Sequence, residues 1–300
     1  MASETTIQTI DLNFLNQSES IAAFLIKNNN KYALVETGPF STIKAIEKVL
    51  EENAITAKDI SAVFITHIHL DHAGAAWYFA NQGAKIYVHP LGVKHLIDPS
   101  RLYNSAKQIY GDVMDALWGE MSAIDPEKIT SVAHGEKINW SSTELTAWHT
   151  PGHAQHHIAW QLGDSIFCGD VAGVKIRNGI VVPPCPPPDI NVEQWIDSIN
   201  LLKSLKPKTI YLAHFGAITQ ITPHFSRLAK RLQNWATYVN KISQTDNPYE
   251  IILEKFIKFI HNEYKRYGAN EETLSKYETA NPSFMSLAGL QRYWKKKNEK

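Results

Sequence analysis

Cysteine is almost missing from this chain: 300 residues contain two, Cys168 and Cys185. Two thiols cannot build a disulfide framework for a protein of this size, and neither belongs to a CxxC redox or zinc motif, so both read as ordinary thiols. Net charge is missing too. Thirty basic and thirty acidic side chains cancel, which leaves no global field to draw in nucleic acid or an anionic membrane and hands selectivity to a pocket. No apolar run reaches the roughly 18 residues of a membrane span. The opening MASETTIQTIDLNF carries an acid, Glu4, and has neither a basic n-region nor a long apolar h-region, so it reads as no secretory leader. The expected partner is therefore a small-molecule substrate, with no nucleic acid and no membrane, and the expected address is cytoplasmic. No internal repeat of fixed period is found.

What the chain does have is 44% hydrophobic residues, enough for a large core, and a clear order of patterns. Ile21 to Ile26 and Tyr32 to Val35 read as strands of a hairpin turned at Asn28-Asn29-Asn30. Ser41 is expected to cap a helix carrying Ile43, Ile46, Val49 and Leu50, and Ala62 to Ile65 forms a short buried strand. Ala75 to Gln82 reads as a helix closed by Gly83, and Lys85 to Val88 as another strand. Arg101 to Trp118 predicts one amphipathic helix, with Leu102, Ala106, Ile109, Val113, Met114 and Leu117 on a stripe that serves either the core or a substrate lid. From Ile129 to Cys168 the period shifts towards two, a second run of strands. Five prolines between Pro183 and Pro188 make a stiff rim loop, Asn191 caps the next helix, and Thr209 to Ala213 is a last strand ending at His214.

Beyond Ile221 the pattern is helical only. Thr222-Pro223 and Asn247-Pro248 are expected to open two long amphipathic segments, and the Lys295-Lys296-Lys297 run reads as a solvated tail. Residues 1–220 are thus assigned to a catalytic core and 221–300 to a helical extension. The apolar faces of these helices need a partner, either the core or a second copy in a homo-oligomer.

The chemistry is concentrated at Thr66-His67-Ile68-His69-Leu70-Asp71-His72-Ala73-Gly74, between the strand and the helix. A two-residue step in extended chain sends His67 and His69 to one side, while Asp71 and His72 enter a helical turn and aim at a second position. Of thirteen histidines, these three, His153 and His214 follow strands or sit in sharp turns. His89, His95, His134, His149, His156, His157, His224 and His261 are dispersed and are taken as surface or core residues. Imidazole and carboxylate ligands without thiolate suit zinc, and also iron or manganese, in an open catalytic site rather than a closed structural one.

The hairpin ending at Glu36-Thr37-Gly38, the THIHLDHAG turn, Thr150-Pro151-Gly152-His153, Gly169-Asp170 and the strand-ending His214 together resemble the metallo-β-lactamase fold superfamily of metal-dependent hydrolases. The turn and TPGH are similar to its glyoxalase II/lactonase-like branch. The resemblance implies an α+β fold, a four-layered αβ/βα sandwich with metals at one edge between two sheets. It implies two divalent metal ions, the first held by His67, His69 and His153, the second by Asp71, His72 and His214, with Asp170 bridging both. Two departures stand out. Glu36 occupies a position where the family often has aspartate, and its extra methylene rearranges the hydrogen bonds below the turn. His156, followed by His157, replaces the usual small residue of glyoxalase II after TPGH, and Val171 to Arg177 does not resemble its glutathione-site pattern. The chain is therefore not assigned to glyoxalase II itself.

The expected activity is hydrolysis of a small carboxyl ester, thioester or lactone, with metal-bound hydroxide as nucleophile and Asp71 either as catalytic proton carrier or as a ligand only. Lys175, Arg177, Trp118 and His157 have the chemistry to touch substrate, but solvated charges and core aromatics are the commoner fates of such residues, and no substrate-binding residue is assigned. Two alternatives remain on the same fold. A phosphodiesterase or nuclease needs a basic groove and further motifs that are not seen, and a mononuclear iron-dependent oxygenase uses only His67, His153 and Asp170.

Overall fold

Period-two alternation decides which way each strand faces, and here it serves two sheets at once. The computed structural model describes residues 5–299, so Glu4 of the leader reading lies outside the described residues. The first sheet runs in the order β1 (Thr5–Asp11), β2 (Ala22–Asn28), β3 (Lys31–Val35), β4 (Ile60–Phe64), β5 (Lys85–Val88) and β6 (Ile129–Ser131). Its first three strands are antiparallel and β3 to β6 are parallel. Parallel neighbours require crossovers. These are α1 (Ile43–Glu52), then α2 (Leu70–Ala73) with α3 (Ala76–Asn81), then α4 (Val93–Ile97), α5 (Ser100–Tyr110) and α6 (Met114–Trp118).

The second sheet contains β7 (Lys137–Trp140), β8 (Thr143–His149), β9 (Ile158–Leu162), β10 (Ser165–Phe167), β11 (Thr209–Leu212) and β12 (Gly216–Ile218). Its one parallel pair, β10 with β11, is joined through α7 (Val192–Ser204). The described chain then continues as α8 (Ile221–Ser243), α9 (Tyr249–Arg266), α10 (Glu271–Ala280) and α11 (Ser283–Asn298).

In β2, Ala22, Phe24 and Ile26 point between the sheets and pack with Phe64, Trp160 and Phe167, while Ala23 and Leu25 point outwards to Ile46 of α1 and Phe79 of α3. The outer face of the second sheet packs Ile166, Ile210 and Leu212 against Trp195 of α7 and against Phe225, Trp235, Phe256 and Leu290 of the C-terminal helices. Each such side chain contributes about 1.5–3 kcal/mol on burial. The layers are therefore helix, sheet, sheet and helix, the α+β sandwich that the motifs implied, with the C-terminal helical segment built into the last layer.

Four local expectations are corrected. The single helix expected over Arg101–Trp118 breaks at Gly111, whose φ is +55°, into α5 and α6, and no residue of α5 is buried. Its stripe is divided: Met114 is buried and Leu102 and Leu117 pack against the core, while Ala106 and Ile109 line an open cavity. Ser41 caps nothing; α1 begins at Ile43, and the Ser41 hydroxyl donates to the Leu117 carbonyl (2.6 Å), tying down α6. The C-terminal segment holds four helices rather than two, because the apolar residues of Glu271–Ala280 and Ser283–Asn298 do not gather into a clean stripe. The lysine run is part of α11, where Lys297 pairs with Glu193 of α7 and Lys296 donates to the Pro188 carbonyl (2.8 Å). No helix among the described residues is long and apolar enough to cross a membrane.

The helical segment is fastened to the sheet by a buried polar contact. His224 of α8 donates from Nε2 to the Ala172 carbonyl (2.8 Å), next to the turn that follows β10. Burial, only partly countered by that hydrogen bond, brings the imidazole pKa down to about 4. Between the ordinary histidine value and pH 4 the unfolded chain takes up a proton that the folded chain refuses, so acidification lowers stability and raising pH restores it. In His224→Gln, which keeps a donor but cannot titrate, the stability lost between pH 7 and pH 4.5 should shrink by about 2 kcal/mol, read from denaturant unfolding at the two pH values.

Candidate metal centre

Strand β4 ends at Phe64, and the chain turns out of the sheet beyond its carboxyl end, where loops of parallel strands gather ligands. The two-residue step brings His67 Nε2 within 2.9 Å of His69 Nδ1, and His153 Nε2 stands 3.1 Å from that same His69 nitrogen. A second group lies alongside. His72 Nε2 and His214 Nε2 are 3.6 Å and 3.5 Å from Asp71 Oδ2. Asp170 faces both groups, with Oδ2 3.4 Å from His153 Nε2 and Oδ1 3.4 Å from the Nε2 atoms of His72 and His214. All seven residues proposed from the sequence are thus brought together, from four separate loops.

Two glycines make the approach of the distant ligands sterically feasible. Gly152 has φ +132°, and a Cβ there would stand 2.3 Å from Trp195 Cα, so only glycine lets the turn before His153 lie on α7. Gly169, with φ +46°, would place a Cβ 2.5 Å from the Thr66 hydroxyl, and it sets Asp170 directly behind the turn.

The imidazoles are oriented by what holds their other nitrogen. Nδ1 of His72 donates to Glu36 (3.0 Å), that of His153 to the Pro184 carbonyl (2.9 Å) and that of His214 to the Ser20 carbonyl (2.7 Å). With the proton fixed on the outer nitrogen, each Nε2 carries its lone pair inwards. Glu36, at φ +64°, also accepts from the Thr66 backbone N–H (3.3 Å) and from the Thr66 hydroxyl, so its carboxylate braces the turn from below.

Electrostatics divide the cage. Burial, followed by neighbouring imidazoles, holds His67 well below the ordinary value and His69 at about 3, so both remain neutral donors of lone pairs. For Asp71 burial pulls upwards but is outweighed by His72 and His214, leaving it at about 2; Asp170 is held well below its usual range in the same way. Burial pulls His72 down, yet Asp71, Asp170 and Glu36 raise it overall. Asp170 Oδ1 and His72 Nε2 are buried, 3.4 Å apart, and have no hydrogen-bond partner among the described residues. A converging set of nitrogen and carboxylate donors with orphaned buried atoms fits a divalent cation.

A cavity of about 790 Å³ opens over the cage, floored by His69, Asp71, Asp170 and His214 and walled by α5, the proline-rich loop and the elbow between α10 and α11. Trp118 lines it. His157 does not; it lies buried against His67 (ring centroids 5.0 Å apart) with Nδ1 on the Thr150 hydroxyl (2.8 Å). Lys175 and Arg177 are elsewhere, Arg177 pairing with Glu19 (2.5 Å). His156, taken as a bland histidine, lines the cavity beside His69 (ring centroids 5.7 Å apart). Its departure from the family pattern after TPGH was the signal. Lys94, His95, Arg101 and Tyr110 also line the cavity; their positions depend on how α4 and α5 fold back, which no local motif records.

A family model described as the metallo-beta-lactamase superfamily matches residues 19–214. Among curated relatives, a metallo-beta-lactamase fold-containing protein of Sulfurisphaera tokodaii is 30% identical over 161 residues, 52% of this chain and 61% of that one. A hydroxyacylglutathione hydrolase of Aeromonas hydrophila is 28% identical over 147 residues, 49% of this chain and 44% of that one. The chain thus spans less than two thirds of either relative's length. A crystal structure of an archaeal metallo-beta-lactamase superfamily protein from Sulfolobus tokodaii superposes with TM-score 0.69 at 20% identity, covering 95% of this chain and 98% of that one. A metallo-beta-lactamase family protein from Thermus thermophilus gives TM-score 0.69 at 18% identity, covering 98% and 94%.

The brace at Glu36 makes a measurable claim. Glu36→Ala leaves His72 Nδ1 and the Thr66 hydroxyl without their acceptor, and metal affinity should fall by about 10- to 100-fold in a chelator competition assay.

Proposed function

Because the chain belongs to the metallo-β-lactamase superfamily, we propose that it is a metal-dependent hydrolase that cleaves small carboxyl esters, thioesters or lactones with two divalent ions, zinc before iron or manganese. One observation carries this reading: the two oxygens of Asp170 face separate donor groups, Oδ2 at His153 and Oδ1 at His72 and His214, each at 3.4 Å. On this reading His67, His69 and His153 hold one ion, Asp71, His72 and His214 the other, and Asp170 reaches both. Divalent ions in such a site supply Lewis acidity at a carbonyl oxygen and acidify water, zinc to a pKa of about 7.

The chain's own residues do the rest. The proline-rich wall, α5 and the α10–α11 elbow confine substrate over the cage and limit water around it. Asp71 is 23% exposed, against 5% or less for His72, Asp170 and His214, so it is the carboxylate within reach of substrate. It takes a proton from the attacking water as the new C–O bond forms and returns it to the leaving oxygen or sulfur as the old bond breaks. The complete set of seven side chains favours this reading over a mononuclear iron oxygenase, which leaves Asp71, His72 and His214 without a task.

The test is a panel of thioesters, lactones, β-lactams and phosphodiesters offered to the metal-loaded protein. Thioesters or lactones should turn over, with kcat reduced by about 100-fold or more in Asp71→Asn. A panel inert except for the phosphodiesters, or oxygen uptake with one iron per chain, would overturn the proposal.

A further inference from the structure

The cavity over the cage has two chemically different ends, and α5 runs between them. Arg101, Leu102, Ser105, Ala106, Ile109 and Tyr110 all line the cavity, a spacing that puts them on one helical face. No residue of that helix is buried by protein. At its first turn the face is cationic. Lys94 and His95 line the same space, and His95 is lowered by burial and then by the charges of Lys94 and Arg101, which places the three close together. Among the described residues neither the Lys94 nor the Arg101 side chain has a hydrogen bond or an ion pair.

Ile109 lies about 12 Å further along the helix, at 1.5 Å per residue. There the wall is apolar. Phe14 stacks on Trp118 (5.4 Å), which meets Tyr110 edge-on (5.3 Å), and Leu15 follows Phe14 into the cavity. Leu15 and Ile109 are 49% and 47% exposed and line the same cavity, apolar surface that an apolar occupant would cover. The cage lies between the ends: His156 sits beside His69 and feels His95, while Tyr110 feels Asp71. Of the other acids of the wall, Glu278 has donors of its own, and Asp189 stands in a loop held by two cations. Glu278 accepts from Ser283 (3.0 Å) and His261 (3.1 Å), and Asp189 follows Pro188, whose carbonyl accepts from Arg292 and Lys296.

We propose that the cleft selects amphipathic carboxyl substrates, with an apolar chain seated on Leu15 and Ile109, an anionic carboxylate or phosphate seated at Lys94 and Arg101, and the scissile carbonyl between them over Asp71 and Asp170. The inference rests on the hydrolase reading for the bond that is cut, but the seats at either end are defined by Lys94, Arg101, Leu15 and Ile109 alone. A carboxylate on one end of a medium-length chain satisfies both.

Binding and turnover separate the two claims. The thioether 3-(octylthio)propanoate, which has no scissile bond, is titrated calorimetrically into the metal-loaded protein, with neutral 2-(octylthio)ethanol and short 3-(ethylthio)propanoate as controls. Each control should bind at least about tenfold more weakly. Lys94→Gln with Arg101→Gln should erase the difference between anionic and neutral probes, and Leu15→Ser with Ile109→Ser the difference between octyl and ethyl. All four side chains are exposed or line open cavity, so folding is not at stake, and matching thermal melts check it. A carboxylate preference that survives the double lysine–arginine variant places the anion on the cage and overturns the proposal, as does affinity independent of chain length. The octanoyl thioester of 3-mercaptopropanoate then tests the reaction. If it is bound with these preferences but not cut, the hydrolase reading fails and the cleft assignment stands; if thioesters are cut without regard to chain or charge, the reverse holds.

Discussion

Seven polar side chains do not share one buried edge between two sheets unless something offsets the cost of taking them out of water. Here the outer nitrogens of His72, His153 and His214 are satisfied by Glu36, Pro184 and Ser20, while at the centre His72 Nε2 and Asp170 Oδ1 find no partner among the described residues. The desolvation cost is therefore left at the centre, where a divalent cation would offset it. That constraint explains why the bracing residues are as buried as the ligands, and why Gly152 and Gly169 occupy positions that a side chain would close.

From the cage outward the fold changes task. The two sheets and their helical layers hold four loops in register at one edge, and this requires rigidity. The wall above combines α5, none of whose residues is buried, with the proline-rich loop and the elbow between α10 and α11, which are anchored in the core through Cys185, Tyr277 and Leu287. The C-terminal helices join the two tasks, since α8 reaches the turn after β10 through His224 while α11 holds the proline-rich loop at Pro188. Their packing into the second sheet's outer layer thus bears on the shape of the substrate cavity as well as on stability.

Much of this was legible in the residues, for local reasons. The HxHxDH turn declares itself because period-two and helical spacings fix side-chain directions over a few residues, and TPGH and the Gly-Asp pair are equally local. What escaped was tertiary. A stripe with helical spacing continues from Leu102 to Leu117, so nothing in it announces the break at Gly111, and the same apolar residues suit a core face or a cavity wall. Ser41 has the chemistry of a cap but spends its hydroxyl on Leu117. His156 and His157 look dispersed in sequence and come to lie against His69 and His67 only because the loop after β8 folds over the turn after β4. The Lys295-Lys296-Lys297 run passes for a tail, yet it ends a helix whose apolar residues, Leu287, Leu290 and Tyr293 among them, meet an existing core without forming a clean stripe in sequence.

Metal stoichiometry tests the central claim most directly. Elemental analysis of the chain saturated with zinc and freed of loosely held ion should give two equivalents per chain, falling to one in His214→Ala, where the first donor group keeps all its members. A single equivalent in the unaltered chain, unchanged by loss of His214, would contradict the two-position cage and with it the role given to Asp170.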